Sequence, residues 1–347
     1  MPNDAERGVV IQPDLGMPGG VKCVLQTHAI SKKYGEFFAL KDVSLAVRQG
    51  DIYGLVGRNG AGKTTLFKCI MGLAKPSSGA IEINGQTQNL RAARQHMGFM
   101  INPAFFSYLN PRECLEYLCM VKGVKAKGEV ERLLALVDLD GVKKPFRAFS
   151  LGMKQRLGIA GALLGSPAMV VLDEPINGLD PQGIIDMREV ITGIHAQTGT
   201  TFVISSHILS ELDLIATRFG FIEEGVFVQE ITHHDLHEHT RKSLLIEVDD
   251  AVKAWAALQV LGIQQPQEPQ EPGFSSSREP VIQESQAPAA GKGKGKASQL
   301  KLTTHLDQSH LIARTLIDSG VELYDLHRQE TTLEEYFVRL IGGDPSC

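Results

Sequence analysis

The chain has 347 residues, of which 43% are hydrophobic and 22% charged, so it can bury the cores of one large and one smaller domain. Its net charge of −5 argues against binding of nucleic acid through a generally basic surface, and no apolar run has the length of a membrane-spanning helix. Five cysteines without a CxxC pair, and an N-terminus without the apolar core of a signal peptide, predict a protein of a reducing cytoplasm.

The first predicted elements follow a loose tail. Residues 1–20 are rich in Pro, Gly and Asp and are expected to be disordered. From 21 to about 240, short apolar runs such as "DIYGLVG" and "TFVISS" alternate with helical stretches. This alternation predicts an α/β domain whose parallel strands are buried on both faces. Residues from about 90 to 165 have a mostly helical pattern, which predicts a helical subdomain inserted between the strands.

The motif "GRNGAGKTT" follows an apolar strand and precedes a helix, which is the setting of a phosphate-binding loop. Its glycines let successive backbone N–H groups turn toward phosphate oxygens, and the helix adds its positive end. Lys63 is expected to reach the β- and γ-phosphates of a nucleotide, and the Thr64 hydroxyl to hold Mg²⁺. The residues expected to bind a nucleotide here are Gly57, Arg58, Asn59, Gly60, Ala61, Gly62, Lys63, Thr64 and Thr65.

A second glycine-bearing helix start occurs in "FSLGMKQRLG". Free N–H groups at Ser150 and Gly152 would form another anion site, although an ordinary N-cap explains the serine equally well. Because the phosphate loop holds its own nucleotide, this second site suggests a head-to-tail dimer of two copies that closes over two nucleotides. The residues expected to contact the nucleotide held by the partner copy are Ser150, Leu151, Gly152 and Met153.

Two further strands end in groups suited to hydrolysis. In "VVLDEP", Asp173 is expected to point toward Mg²⁺, and Glu174 to act as general base on the attacking water. His207 follows the run "TFVISS" and is expected to bind the γ-phosphate and link it to that water. A structural capping histidine is the alternative for His207, and the other motifs favour the functional role.

The C-terminal part of the chain has a different sequence pattern. Residues 241–343 combine short apolar runs and helical patterns and predict a small α/β domain. It is interrupted from about 264 to 299 by a segment of Pro, Gln, Glu, Gly and Lys. Such a segment has little to bury and is expected to be a disordered linker.

Five motifs in this order resemble the Walker A, signature, Walker B, D-loop and H-loop motifs of ABC-transporter ATPases. The resemblance covers about 21–230 and is closest to ATP-binding subunits of ABC-2 type exporters, in particular the bacitracin and lantibiotic self-protection group. It implies a P-loop NTPase fold, ATP hydrolysis with Mg²⁺, and separate transmembrane permease subunits that hold the chain at the inner face of the membrane. It also implies that Tyr34 stacks on adenine and that Asp180 lies at the dimer interface.

Two positions depart from the family pattern. The usual Leu-Ser-Gly-Gly-Gln signature reads Phe-Ser-Leu-Gly-Met here, a variant common in this subgroup. Asn102 stands where relatives carry Gln or Glu as a Mg²⁺ contact. Its side chain is shorter than theirs, so a bridging water is expected to replace direct contact with the metal.

Three points remain open at the level of sequence. A soluble ABC ATPase acting on ribosomes or DNA is the alternative function, although such proteins generally carry two cassettes or a long coiled coil. A P-loop kinase would have no use for the "SLGMKQR" element. The aromatic residues Phe105, Phe106 and Tyr108 belong either to the core or to a groove for a helix of the membrane subunit. The cargo follows from resemblance alone and is expected to be a peptide antibiotic or another drug.

Overall fold

The computed structural model describes residues 22–125, 127–240, 242–261, 263, 298–302, 306–329 and 332–342. The predicted tail lies outside the described residues, as does the predicted linker up to residue 297. The chain divides into two compact units, Met1–Leu236 with Phe337–Cys347, and His237–Tyr336. None of the helices in the described part combines the length and apolar character that crossing a membrane requires.

A nine-stranded sheet organises the first unit. Its strands are β1 (Cys23–Tyr34), β2 (Phe37–Arg48), β3 (Ile52–Val56), β4 (Ser78–Ile83), β5 (Met97–Met100), β6 (Met169–Asp173), β7 (Thr201–Ser206), β8 (Arg218–Glu223) and β9 (Val226–Thr232). They lie in the order β4-β1-β2-β9-β8-β3-β7-β6-β5. The strands from β8 to β5 run parallel, and all five residues of β3 are buried. The predicted α/β fold is confirmed.

The sheet also has an antiparallel part. Strand β1 pairs antiparallel with both β2 and β4, and β9 is antiparallel to β8. In the second half of β2, the buried residues Val43, Leu45 and Val47 alternate with less buried ones, whereas every residue of β3 is buried. The parallel part is the one that positions the site, because the carboxyl ends of its strands share one edge.

Helices follow or separate these strands. They are α1 (Lys63–Met71), α2 (Leu90–Arg94), α3 (Pro111–Lys122), α4 (Glu129–Leu136), α5 (Leu151–Leu163), α6 (Pro181–Thr198), α7 (Leu209–Asp213) and α8 (His233–His239), with a 3₁₀ turn at Phe146–Ala148. The start of α3 shows why a helix forms there. Asn110 accepts the Glu113 N–H while the Glu113 carboxylate accepts the Asn110 N–H, and Pro111 occupies the first turn.

The interval predicted to be a helical subdomain, about 90–165, is not helical throughout. It contains α3, α4 and α5, but also β5, which pairs in parallel with β6 within the main sheet. Because the run "MGFM" is only four residues long, its periodicity cannot separate a buried strand from a turn of helix.

The second unit has a three-stranded antiparallel sheet with its own core. Its strands are β10 (Ser243–Val248), β11 (Ser298–Leu302) and β12 (Leu323–Gln329), in the order β11-β10-β12. Its helices are α9 (Ala251–Gln259) and α10 (Ser309–Asp318), with a 3₁₀ turn at Leu306–Gln308. The last helix in the described part of the chain is α11 (Leu333–Leu340). Ile246 on β10 is fully buried with Leu258 on α9 and Leu316 on α10. This is the small α/β fold predicted for the C-terminal part.

A buried polar cluster links β3 to β8 and β9. The fully buried Tyr53 hydroxyl donates to Glu230 Oε2 over 2.9 Å, and Arg218 Nη1 donates to Glu230 Oε1 over 2.9 Å. Burial raises the pKa of the Tyr53 hydroxyl well above its usual value. Burial also raises the pKa of the Glu230 carboxyl, against the effects of Arg218 and of the Tyr53 hydrogen bond.

Tyr53→Phe is expected to lower the free energy of unfolding by about 0.5–1.5 kcal/mol, because the Glu230 carboxylate loses a buried donor. A folded pKa raised above the unfolded value means that stability falls as the pH rises from the unfolded pKa through the folded one. Losing the donor raises the Glu230 pKa further. The loss in free energy of unfolding caused by Tyr53→Phe should therefore be larger at pH 8 than at pH 5. Urea unfolding at the two pH values measures it. A deficit independent of pH, or one matched by the exposed Tyr117→Phe, would contradict this role.

Candidate functional site

The loop between β3 and α1 depends on glycines at positions where a side chain would either collide with backbone or require an unfavourable φ. A Cβ atom at Gly57 would collide with the backbone oxygen of Ile222 on β8. Gly60 and Gly62 have φ of +87° and +109°, in the region that favours glycine, and a Cβ at Gly62 would lie 2.8 Å from the Ala39 oxygen. The loop can therefore bring its backbone N–H groups close to a ligand.

The other loop residues frame this backbone. Arg58, Asn59 and Gly60 are exposed, while Ala61 is buried. The first turn of α1, which includes Thr65, has free N–H groups and no acidic side chain. A helix start of this kind favours an anion.

The Lys63 side chain curls back over the loop. Its side chain is only 5% exposed, and Nζ donates to the Gly57 oxygen over 2.6 Å and to the Arg58 oxygen over 3.1 Å. Nζ also lies 3.1 Å from Glu174 Oε1. The loop thus holds a buried cation beside a carboxylate at the end of β6.

Asp173, the last residue of β6, has a hydrogen bond to each carboxylate oxygen. The Thr64 hydroxyl donates to Asp173 Oδ2 over 2.7 Å, and the Ser205 hydroxyl donates to Asp173 Oδ1 over 2.6 Å. Hydroxyl and carboxylate oxygens are hard ligands of the kind that Mg²⁺ prefers. The Thr64 and Asp173 oxygens therefore fit a magnesium ion.

Glu174 joins the phosphate loop to His207. Its Oε1 faces Lys63, and its Oε2 lies 2.9 Å from His207 Nδ1. The Glu174 backbone has φ of +49°, in the left-handed region that non-glycine residues seldom adopt, and its N–H donates to Ser205 Oγ over 2.9 Å. A carboxylate between a cation and an imidazole can accept a proton, and the imidazole can pass one on.

The structure thus brings Lys63, Thr64, Asp173, Glu174 and His207 into one hydrogen-bonded network at the carboxyl ends of β3, β6 and β7. The sequence had assigned each of these side chains a role separately. Ser205, which contacts both carboxylate residues, was missed. The available signal was its place two residues before His207 at the end of an apolar strand, but Ser206 lies nearer still to His207.

The residues predicted to meet a partner-held nucleotide line a separate groove. Ser150 caps α5 by accepting the Met153 N–H over 3.3 Å, and Asp180 caps α6 by accepting the Gly183 N–H over 3.3 Å. The two caps border the same groove together with Leu151 and Gly152. Ser150 is therefore an N-cap, and among the residues that the structure describes no hydrogen bond uses its own hydroxyl proton.

Tyr34 ends β1 and is 50% exposed, with the Lys32 ammonium 4.7 Å from its ring centroid. Next to it, Phe37 and Phe38 line a hollow that also includes Gly60 of the phosphate loop. Exposed aromatic faces beside a phosphate loop offer surfaces on which a base can stack.

Asn102 follows β5 at the same edge of the sheet that carries Asp173. Met100 pairs with Leu172, so the residues after each strand leave the sheet side by side. Asn102 is exposed and has φ of +42°, a conformation that asparagine tolerates better than most residues. Asn102 thus lies at the edge of the sheet that carries Asp173, and its contact with a metal through water stays a prediction.

The chain is similar to known ATP-binding proteins of transporters. A family model described as ABC transporter matches residues 40–177. The chain is 42% identical to the bacitracin transport ATP-binding protein BcrA of Enterococcus faecalis, over 92% of this chain and 97% of that protein. It is 39% identical to the lantibiotic transport ATP-binding protein SrtF of Streptococcus pyogenes, over 60% of this chain and 90% of that protein.

Among solved structures, the fold resembles the dimeric ATP-binding cassette MJ0796 in a post-hydrolysis state with ADP and phosphate. The TM-score is 0.55 at 23% identity, covering 60% of this chain and 98% of that one. At this identity the likeness shows the fold alone. Together with the relatives above, it confirms the resemblance that the five ordered motifs suggested.

Proposed function

The chain belongs to the ABC transporter family as an ATP-binding subunit that hydrolyses ATP, and from this premise we propose that it powers an ABC-2 type exporter of a peptide antibiotic. The cargo is supported by the relatives BcrA and SrtF, whose names specify bacitracin and lantibiotic transport. The match to BcrA extends beyond the ATPase fold into the second unit, because it spans 92% of this chain. The same names speak against the alternative of an ATPase acting on ribosomes or DNA.

The hydrolytic roles rest on one observation, the placement of Glu174 between Lys63 and His207. Glu174 is the general base that takes the proton of the attacking water. His207 orients that carboxylate and contacts the γ-phosphate. Lys63 supplies the cation for the β- and γ-phosphates.

Magnesium binding is the second part of the proposal. Thr64 and Asp173 are the residues that would hold Mg²⁺, with Asn102 contributing through water. Bound there, the ion would neutralise charge on the phosphates during hydrolysis. The remaining loop residues, from Gly57 to Gly62 and Thr65, bind the phosphates through their backbone, and Tyr34 stacks on adenine.

Two copies would form a head-to-tail dimer. The groove that includes Ser150, Leu151, Gly152 and Met153 would close over the nucleotide of the partner copy, with Asp180 at the interface. The N-terminus of α5 and the free proton of the Ser150 hydroxyl suit the negative charge of a γ-phosphate.

A membrane partner is suggested by an exposed aromatic cluster. Phe106, Tyr108 and Tyr117 are 46%, 66% and 41% exposed, and the Phe106 ring centroid lies 5.8 Å from that of Tyr108 and 5.1 Å from that of Tyr117. Phe105, in contrast, packs edge-on against Phe146 at 5.3 Å. Phe106 and Tyr108 therefore belong to an exposed surface that could receive a permease helix, and not to the core. Binding of that helix would place the chain at the cytoplasmic face of the membrane.

The proposal is tested by co-expressing the chain with its membrane partner in a host sensitive to bacitracin and to a lantibiotic. Protection against either compound is expected with the wild-type chain and not with Glu174→Gln, at equal protein levels. Normal ATP hydrolysis without protection against either compound would exclude the proposed cargo and leave the ATPase assignment standing.

A further inference from the structure

Ser205 lies at the centre of the site although its side chain is fully buried. Strands β6 and β7 run parallel with Asp173 paired to Ser205, so the serine faces the aspartate directly. One hydroxyl makes two different hydrogen bonds there. It donates to Asp173 Oδ1 over 2.6 Å and accepts the N–H of Glu174 over 2.9 Å.

We infer that Ser205 is the positioning residue for both carboxylates, an inference that rests on the hydrolytic roles proposed for Asp173 and Glu174. With Thr64 on Oδ2 and Ser205 on Oδ1, the plane of the Asp173 carboxylate is fixed at both oxygens. Metal-site ligands held in this way by a second hydrogen bond bind more tightly and in a single orientation. Ser205 therefore sets how Asp173 presents its oxygen to Mg²⁺.

The second bond acts on the general base. Glu174 has φ of +49°, a conformation that costs energy unless its surroundings maintain it. The bond from the Glu174 N–H to Ser205 Oγ stabilises that backbone and directs the side chain toward Lys63 and His207. A hydroxyl meets both requirements, whereas alanine offers neither the donor nor the acceptor.

The neighbouring serine has a different task. Ser206 is also fully buried, but its hydroxyl donates to the Ile208 oxygen over 3.3 Å and accepts the Ile208 N–H over 3.0 Å. These bonds are local to the turn after β7. The positioning role therefore belongs to Ser205 and not to the Ser-Ser pair as such.

The test compares Ser205→Ala, Ser205→Thr and the control Thr201→Val. Thr201 lies on the same strand and accepts the Gly50 N–H over 2.9 Å, so the control also removes a buried hydroxyl but far along β7 from the site. Ser205→Ala is expected to lower kcat about 10- to 100-fold, with KM for ATP changed less than about threefold. In a binding titration with a fluorescent ATP analogue, it should raise the Mg²⁺ concentration for half-saturation several-fold. Ser205→Thr should recover most of both losses, and Thr201→Val should show neither.

Several results would overturn the inference. These are wild-type kcat and Mg²⁺ dependence in Ser205→Ala, equal losses in the alanine and threonine variants, or equal losses in Thr201→Val. Should Ser205→Ala not fold, Ser205→Cys replaces it, since a thiol fills the site but bonds weakly, and the same ordering is expected. Measuring Glu174→Gln in parallel distinguishes a failure of the proposed general base from a failure of the positioning role of Ser205. If that variant hydrolyses ATP normally, the proposed general base fails, whereas its loss beside a normal Ser205→Ala refutes only the positioning role.

Discussion

We expect Glu174→Gln to lower ATP turnover about 10²- to 10⁴-fold while ATP binding is retained. This corresponds to about 2.7–5.5 kcal/mol of activation free energy. Glutamine keeps the size of the side chain and can still meet Lys63 and His207, but it cannot accept the proton of the attacking water. Binding interactions therefore survive while the base is lost, and the ATP-bound dimer should accumulate.

Single-turnover hydrolysis and size-exclusion chromatography with ATP measure the two effects. Glu189→Gln, an exposed carboxylate on α6, is the matched control and should hydrolyse ATP at the wild-type rate. Turnover by Glu174→Gln within a few-fold of wild type, with the membrane partner present, would remove Glu174 from the role of general base.

Lys63→Ala is expected to weaken ATP binding about 10- to 150-fold, since hydrogen bonds to a charged group contribute about 1.5–3 kcal/mol. Lys63 is the buried cation of the phosphate loop, whereas the Arg58 guanidinium points toward Glu223, with Nη1 3.8 Å from Oε1. Arg58 therefore does not replace it. Export should be lost together with binding.

Fluorescence titration with ATP measures the affinity, and circular dichroism checks that the fold persists. Lys68→Ala is the control, because Lys68 lies on the same helix α1 with an exposed side chain. Its affinity for ATP should stay within about twofold of wild type. Tight ATP binding by folded Lys63→Ala would contradict the assignment of the loop.

The chemistry of the site could be predicted because most of its residues belong to short, continuous sequence motifs. The glycines and Lys63 form one continuous motif, and Asp173, Glu174 and His207 each follow an apolar strand. Parallel strands end at one edge of the sheet, which is why side chains that are far apart in sequence meet there. The network now seen around Lys63 and Glu174 is the geometric result of that rule.

The features that could not be predicted depend on register and on long-range packing. Ser205 and Ser206 are adjacent and equally buried, and only the pairing of Ser205 with Asp173 decides which one faces the carboxylates. Strand β5 is too short for its pattern to be distinctive. The left-handed backbone of Glu174 depends in part on its contact with Ser205, which comes from another strand, so no local signal indicated it.

The collision at Gly57 has a consequence for protein engineering. Gly57 faces the Ile222 oxygen, Gly62 faces the Ala39 oxygen, and a Cβ at Gly225 would lie 2.7 Å from that same Ala39 oxygen. At these three glycines the backbone passes so close to another segment of the sheet that any side chain would collide with it. They should therefore be kept as glycine in a mutant library. Arg58 and Asn59 carry exposed side chains between the fixed glycines. Side-chain changes within this loop should therefore be made at these two positions, with the surrounding glycines left unchanged.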